Sequence, residues 1–235
     1  MNLLLGRRRI TEREDELTSQ LKVACQNVER LDVVFDIYKE KSLKNETRES
    51  RGEGIRISIR KDTKMCKDFQ KLMRNDMSKT ETAVSEVSKK SNTVVATLGS
   101  GVVSNDTNLN TSSIAPCNHE EADTRVFLHA LDGANNGFKK MSIVTVDTDV
   151  VVIAIQHFAA LKLEELWIEF GVGKSRKYIP IHDCARIFGE RICSSISFWH
   201  SFTGCDTVST FNGKGKKTAW KVLNLFEEGQ DTFTR

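Results

Sequence analysis

The chain lacks long hydrophobic runs and a strong excess of either charge, and each absence excludes a class of protein. No stretch approaches the roughly 20 apolar residues that a membrane-spanning helix needs, so we expect no membrane partner. The first residues, MNLLLGRRRITERED, put a short apolar patch before the arginines, which is the reverse of a secretory signal. The net charge of +3 is too small to indicate a nucleic-acid partner by itself.

The chain also lacks paired cysteines, because its six cysteines are scattered and form no CxxC motif. This usage is typical of reduced thiols in an intracellular protein rather than of a disulfide framework. A zinc site could be assembled from Cys117, His119, His200 and Cys205, but most zinc sites have short paired ligand spacings that this set lacks. We therefore interpret these side chains as buried or incidental.

The apolar segments that are present alternate between strand and helix patterns. LDVVFDIY (31–38) and MSIVTV (141–146) predict buried strands, and a buried helix follows the second of them. HEEADTRVFLHAL (119–131) and HDCARIFGERI also predict helices, and LWIEF with KYIPI predicts a strand pair. This alternation predicts an α/β layered fold with a mostly parallel sheet.

Two parts of the chain differ from this body, which we assign to residues 31–235. Residues 1–30 are interpreted as a polar N-terminal helix or arm. Residues 74–115 are rich in Ser, Thr, Asn, Lys and Asp, with one apolar island at Thr93–Leu98. This composition predicts a weakly structured insertion.

Carboxylates follow two of the predicted strands and open one predicted helix. Open α/β sheets build their sites at strand ends, so we expect these acids to share a crevice. An all-oxygen cluster suits Mg²⁺ or Mn²⁺, and two such ions ~3.5–4 Å apart could activate a water for phosphodiester hydrolysis. Taken singly, each acid is better explained as a solvated turn residue or a helix N-cap. The set is Asp36, Glu121, Asp123, Asp147, Asp149 and Asp206.

Two groups of basic residues lie near these acids in the sequence. Lys44, Arg48 and Arg51 are spaced for one helix face directly after Asp36, although a solvated face is the usual role of such a pattern. The run GKGKK (213–217) precedes a predicted helix, so backbone N–H groups and cations could converge there on an anion. A third glycine–lysine motif, GVGKS at 171–175, is followed by a strand instead of a helix and is interpreted as a hairpin turn.

Taken in order, these motifs resemble the flap-endonuclease/XPG group of PIN-like nucleases. VVFDIYKEKSLKNETRESR resembles that family's strand that ends in a metal-site Asp and runs into a basic helix. HEEADTR resembles its acidic helix start, and IVTVDTDVVVIA resembles its strand with an acidic pair. TGCDTVSTFNGKGKKTAWKVL resembles its last acid followed by a helix-hairpin-helix. The likeness covers roughly residues 30–226 without the polar insertion, and it lies in motif order rather than in close identity.

The resemblance implies a PIN-like domain with a helix-hairpin-helix within 198–226. It also implies that a two-metal site hydrolyses DNA at flaps or junctions with Mg²⁺ or Mn²⁺. It favours DNA over RNA as the nucleic acid that is bound. A DNA substrate in turn favours an intracellular location in the nucleus rather than in the cytoplasm. The metal-side acids would be the six carboxylates given above, with Glu120 as the competing choice at the acidic helix start. The pair gripping the scissile phosphate would be Lys44 and Arg51. The residues holding a DNA backbone phosphate, often with K⁺, would be Gly213, Lys214, Gly215, Lys216 and Lys217.

One departure from the family concerns its first strand, which carries another metal-site Asp. MNLLLGRRRITERED offers no strand followed by Asp, so we expect the chain to lack that strand or that acid. Such a loss favours a catalytically inactive nucleic-acid-binding or structural relative as the alternative function. A PIN-type ribonuclease is a third interpretation.

Overall fold

A computed structural model of the chain describes residues 2–5 (backbone only), 28–37, 78, 92–205, 213 and 215–225. These ranges contain a seven-stranded mixed sheet and four α-helices, none of them long and apolar enough to cross a bilayer. The strands are β1 Asn2–Leu5, β2 Arg30–Val33, β3 Thr93–Leu98, β4 Gly101–Ser104, β5 Lys140–Thr145, β6 Glu165–Phe170 and β7 Lys177–Pro180. The helices are α1 Ala122–Asn135, α2 Thr148–Leu161, α3 Ile181–Phe202 and α4 Lys216–Leu225.

The strands lie in the order β4-β3-β2-β1-β5-β6-β7. Parallel pairing joins β3, β2, β1, β5 and β6, whereas β4 and β7 are antiparallel strands at the two edges. The prediction of an α/β fold with a mostly parallel sheet is therefore confirmed. Counted along the chain, the parallel strands follow the order 3-2-1-4-5 of doubly wound sheets, so the topological switch point lies between β1 and β5.

The central strand is one that the sequence did not predict. The backbone of Asn2–Leu5 pairs in parallel with β2 on one side and with β5 on the other. The expectation of a missing first strand is thus wrong for residues 2–5, and the polar helix or arm expected over 1–30 is wrong there and at Arg30, which begins β2. Residues 6–27 lie outside the described part. Four residues are too few for a periodicity, but two hydrogen-bonded neighbours suffice to hold them.

A second correction concerns the polar segment 74–115, part of which belongs to the sheet. Thr93–Leu98 is a buried strand paired with β2, and Gly101–Ser104 pairs with it in turn, so the weakly structured insertion predicted there is wrong over residues 93–104. Polar side chains help to extend the strand pairing, because Asn105 accepts from the Val94 N–H at 2.7 Å and donates to the Asn92 carbonyl at 2.8 Å. Of residues 74–91, only Ser78 is described.

Apolar side chains of the sheet and of α1, α2 and α3 form the largest core cluster. Met141 and Ile143 of β5 belong to it, and both are fully buried. The opposite face contributes a smaller cluster that includes Leu31, Val33 and Val144. This alternation along β2 and β5 is what strands buried on both faces require.

Between β2 and α1 the sheet buries charges instead of apolar groups. The Arg30 guanidinium donates to both Asp32 oxygens, at 2.9 and 2.8 Å, and lies 2.6 Å from Asp132 Oδ2. His129 Nδ1 lies 2.9 Å from Asp32 Oδ1. These four side chains are at most 3% exposed. Burial acts to lower the pKa of Arg30, but the two carboxylates outweigh it and raise that pKa, so the guanidinium stays charged.

Candidate functional site

Two of the predicted acids lie at matching positions, just after the two strands that flank the central strand. Leu5 of β1 is paired with Val33 of β2 and with Val144 of β5. Asp36 lies three residues beyond Val33, and Asp147 lies three residues beyond Val144. Since neighbouring strands are ~4.8 Å apart, the two strand ends flank the central strand at a separation of roughly 10 Å. Both acids therefore lie at the edge where open α/β sheets bind ligands.

Asp36 holds the start of α1. Its Oδ1 accepts a hydrogen bond from the Ala122 N–H at 2.9 Å, and the neighbouring Ile37 N–H donates to the Glu120 carbonyl at 2.7 Å. Glu121 is the N-cap residue of α1 by position, yet its own side chain makes no cap hydrogen bond. Asp36 thus satisfies one of the N–H groups that a helix start leaves without an intrahelical partner. Asp123 is buried in the first turn of the same helix, so the predicted acids 36, 121 and 123 gather at one helix end.

Asp147 is the N-cap residue of α2, and its side chain makes the cap hydrogen bond. Its Oδ1 accepts from the Asp149 N–H at 2.9 Å, and its own N–H donates to Thr145 Oγ1 at 3.1 Å. The plain N-cap interpretation is therefore correct for Asp147, whatever else this carboxylate does. The positive ends of α1 and α2 both face this edge, and a helix N-terminus stabilises a nearby anion by about 0.3–1 kcal/mol. These two helix ends help to explain how several carboxylates can share the edge.

The end of the sheet where Asp36 and Asp147 follow their strands is called the acidic edge below. Asp149, in the first turn of α2, connects this acidic edge to α4. Its Oδ1 lies 2.9 Å from His200 Nε2, near the end of α3. On the other side of the ring, Lys216 Nζ lies 3.1 Å from His200 Nδ1 and 3.1 Å from the His200 carbonyl oxygen. Lys216 is the first residue of α4, and the family resemblance predicts that it holds a DNA phosphate. Two of its three N–H donors are instead directed at His200.

The chain reaches this arrangement through a break in α3. Gly189 adopts φ +74°, so Ile181–Phe202 consists of two helical segments that meet at this residue. The second segment carries His200 and Trp199, and the Trp199 ring packs edge-on against Trp220 of α4 with centroids 5.1 Å apart. A positive φ is easily adopted only by glycine, so Gly189 is what allows the second segment to turn towards α2 and α4.

Several predicted site residues are not brought together by the described structure. Within residues 28–37, 92–205 and 215–225, no three His, Cys, Asp or Glu side chains lie close enough to hold a metal ion. Gly213 has φ +70°, in keeping with a turn, and Lys217 is exposed in the first turn of α4. The roles of Lys44, Arg51, Asp206 and Lys214 stay predictions, because these residues lie outside the described part.

The other glycine–lysine motif is a connection between edge strands. Gly173–Ser175 forms an exposed 3₁₀ turn that joins β6 to β7, which are paired antiparallel. The hairpin interpretation of GVGKS is therefore confirmed. In a glycine-rich loop that binds nucleotide phosphates through a Gly-Lys-Ser sequence, a helix follows the lysine. Here strand β7 follows it.

His200 is the contact residue that sequence reasoning missed. The sequence pattern offers it only as a candidate zinc ligand, and its partner Asp149 lies 51 residues away. The buried set around Asp32 was missed as well, although Arg30 and Asp32 alternate with Leu31 and Val33 on a buried strand. Charged residues at alternate positions of such a strand indicate a polar partner on the helix that covers it.

Comparisons with known proteins leave the site to be interpreted from its own geometry. No protein-family model matches the chain, and neither a curated protein nor a solved structure matches it.

Proposed function

We propose that this protein is a divalent-metal-dependent nuclease that hydrolyses phosphodiester bonds of DNA at flaps or junctions. The observation that carries the proposal is the register of the central strand, because Asp36 and Asp147 follow positions paired with the same residue, Leu5. Glu121 and Asp149 extend this pair at the starts of α1 and α2. Acids at the ends of strands that flank a topological switch point lie where sites for metal ions and phosphates are built. Since no three of the described acids lie close enough to hold an ion by themselves, the ions would be held by one or two carboxylates each, with waters and substrate phosphates.

The donor chemistry fits Mg²⁺ or Mn²⁺. Asp36, Glu121, Asp147 and Asp149 offer carboxylate oxygens, which are the hard ligands that these ions prefer, and Asp206 would complete the set. When bound, two such ions would neutralise the carboxylates and activate a water for attack on phosphorus. Lys44 and Arg51 would stabilise the charge that builds up on the scissile phosphate.

The carboxylates of Asp36 and Asp147 are already oriented before a metal ion binds. One oxygen of Asp36 accepts from the Ala122 N–H, and one oxygen of Asp147 accepts from the Asp149 N–H. Each carboxylate is therefore held in a defined orientation by the start of a helix. Preorganised groups of this kind need no rearrangement when the substrate binds.

The glycine–lysine turn at 213–217 would set the position of the DNA backbone. The N-terminus of α4 presents backbone N–H groups, and Lys217 adds an exposed cation. Contacts to phosphates fix the register of a protein on the backbone and carry no base sequence, so the substrate would be chosen by shape.

The test is cleavage of end-labelled nucleic acids by the purified full chain. The panel contains flap DNA, linear duplex DNA, single-stranded DNA and a flap-shaped RNA, each with Mg²⁺, with Mn²⁺ and with EDTA. We expect flap DNA to be cut with either metal and not with EDTA. Cleavage of RNA alone would replace this function by that of a ribonuclease, and an absence of metal-dependent cleavage on every substrate would refute both.

A second function, binding of nucleic acid without cleavage, is favoured by the residues that follow the central strand. Gly6 and Arg7 come after Leu5, where the family that the motifs resemble has a metal-site Asp. A protein of this kind would bind flap DNA with an affinity that falls with rising salt, because phosphate contacts dominate binding. It would leave the DNA intact in both metals, which distinguishes the two functions in one gel.

A further inference from the structure

His200 lies between a cation and an anion that belong to different helices. Asp149 Oδ1 is 2.9 Å from Nε2, and Lys216 Nζ is 3.1 Å from Nδ1. The side chain of His200 is 12% exposed, whereas that of Asp149 is 36% exposed. The imidazole is therefore the shielded link between the start of α2 and the start of α4.

The partners determine the tautomer of the ring. An ammonium group has only donors, so Nδ1 must offer its lone pair to Lys216. Nε2 then carries the proton and donates to the Asp149 carboxylate.

Lys216 is held from three sides in this arrangement. Besides its contact with Nδ1, its ammonium donates to the His200 carbonyl at 3.1 Å, and it lies 5.7 Å from the centre of the Trp199 ring. The same Trp199 ring packs on Trp220, which lies about one turn further along α4. The aromatic contact and the hydrogen bonds therefore hold the same helix start against the end of α3.

We propose that His200 is a positioning residue that couples the glycine–lysine turn to the acidic edge by fixing Lys216 and Asp149 at a constant separation. This inference rests on the proposed nuclease function, in which the turn anchors the DNA backbone and Asp149 lies on the side of the metals. Lys216 then acts through His200, and its neighbour Lys217 is the exposed cation that meets phosphate. A shift of the turn would move the DNA relative to the carboxylates, and misplacement of about 1 Å is enough to slow a reaction strongly.

The first test measures the tautomer of His200 in the protein alone. Long-range ¹⁵N–¹H correlation spectra distinguish the two neutral tautomers of a histidine ring, and the signals of His200 are assigned by their loss in His200→Gln. We expect the Nε2–H tautomer in the wild type and a changed Nδ1 chemical shift in Lys216→Met, because the lone pair of Nδ1 then loses its donor. An Nδ1–H tautomer in the wild type would overturn the proposal.

The second test is a double-mutant cycle on binding of flap DNA without metal and on its cleavage with Mg²⁺. Lys216→Met and His200→Gln are each expected to weaken binding by the same factor, about fivefold or more, and the double variant is expected to be no worse than either. Lys216→Arg, which keeps the cation, should recover part of the loss. His157→Gln, at an exposed histidine on α2, is the matched control and should bind as the wild type does.

The outcomes separate this inference from the nuclease function. Losses that multiply in the double variant, or a loss for Lys216→Met with none for His200→Gln, would make Lys216 a direct phosphate contact and overturn the coupling. If the wild type neither bound nor cut nucleic acid, the proposed function would fail. The tautomer would still decide whether the contact from Lys216 through His200 to Asp149 exists.

Discussion

Replacement of Arg30 tests the buried charges between β2 and α1. The guanidinium contacts Asp32 and Asp132, so Arg30→Met would leave two buried carboxylates without this cation. Removing one partner of a buried ion pair costs about 3–5 kcal/mol. In chains of about 150–250 residues each kcal/mol lowers Tm by about 2–4 °C, so we expect a fall of about 6–20 °C.

Thermal unfolding followed by circular dichroism measures this change. The matched control is Lys140→Met, which breaks an exposed ion pair with Glu165 and should leave Tm almost unchanged, because exposed pairs contribute little. The double variant Arg30→Met/Asp32→Leu should lose less stability than the two single changes added together, since it also removes one of the stranded carboxylates. A Tm for Arg30→Met within about 2 °C of the wild type would refute the reasoning.

Three further measurements test other parts of the fold. Asp36→Ala removes the acceptor of the Ala122 N–H and should cost about 1 kcal/mol in urea unfolding, whereas Asp36→Asn should cost less; equal losses would contradict the cap. Arg125→Met removes hydrogen bonds to three carbonyls of the 99–101 turn and should cost about 3 kcal/mol, with faster hydrogen exchange in β3 and β4; unchanged exchange would contradict this role. Burial raises the pKa of the Cys193 thiol, so alkylation read by mass spectrometry should be slower in the native chain than in urea, and equal rates would contradict the shift. Because this folded pKa is raised, the associated stability is present below the unfolded pKa and is lost as pH rises through the folded one.

Strands and helices with a strong pattern could be predicted from the sequence. MSIVTV and the apolar helix after it appear as β5 and α2, with Asp147 at the junction between them. Here the apolar run, the acid and the next apolar run follow one another directly, so local sequence determines the local structure. The hairpin of β6 and β7 is predictable for the same reason.

The central strand and β3 could not be predicted in this way, because their stability comes from neighbours far along the chain. Asn2–Leu5 is a strand through its pairing with β2 and β5, and Thr93–Leu98 is one through its pairing with β2. A polar composition around a short apolar run is typical of a loop until a partner strand is known. Tertiary pairing overrides local propensity in both cases.

The same limit applies to the site. The position of Asp36 and Asp147 at strand ends follows from the sequence pattern, whereas their contacts do not. The capping of α1 by Asp36 spans 86 residues, and the contact between Asp149 and His200 spans 51. Residue types indicate the chemistry that a site could perform, and only the fold determines which of those residues meet.

Cleavage of flap DNA by Asp147→Asn tests the central claim most directly. Asn caps a helix as well as Asp does, so this variant removes the charge of Asp147 and keeps the hydrogen bond to the Asp149 N–H. The control is Asp106→Asn, whose carboxylate makes the same kind of bond to the Asn108 N–H after β4, at the opposite end of the sheet. We expect Asp147→Asn to keep its Tm and its DNA binding and to lose at least about a hundredfold in Mg²⁺-dependent cleavage, with Asp106→Asn unchanged. Cleavage by Asp147→Asn at the rate of the wild type would contradict the assignment of this edge as the metal site.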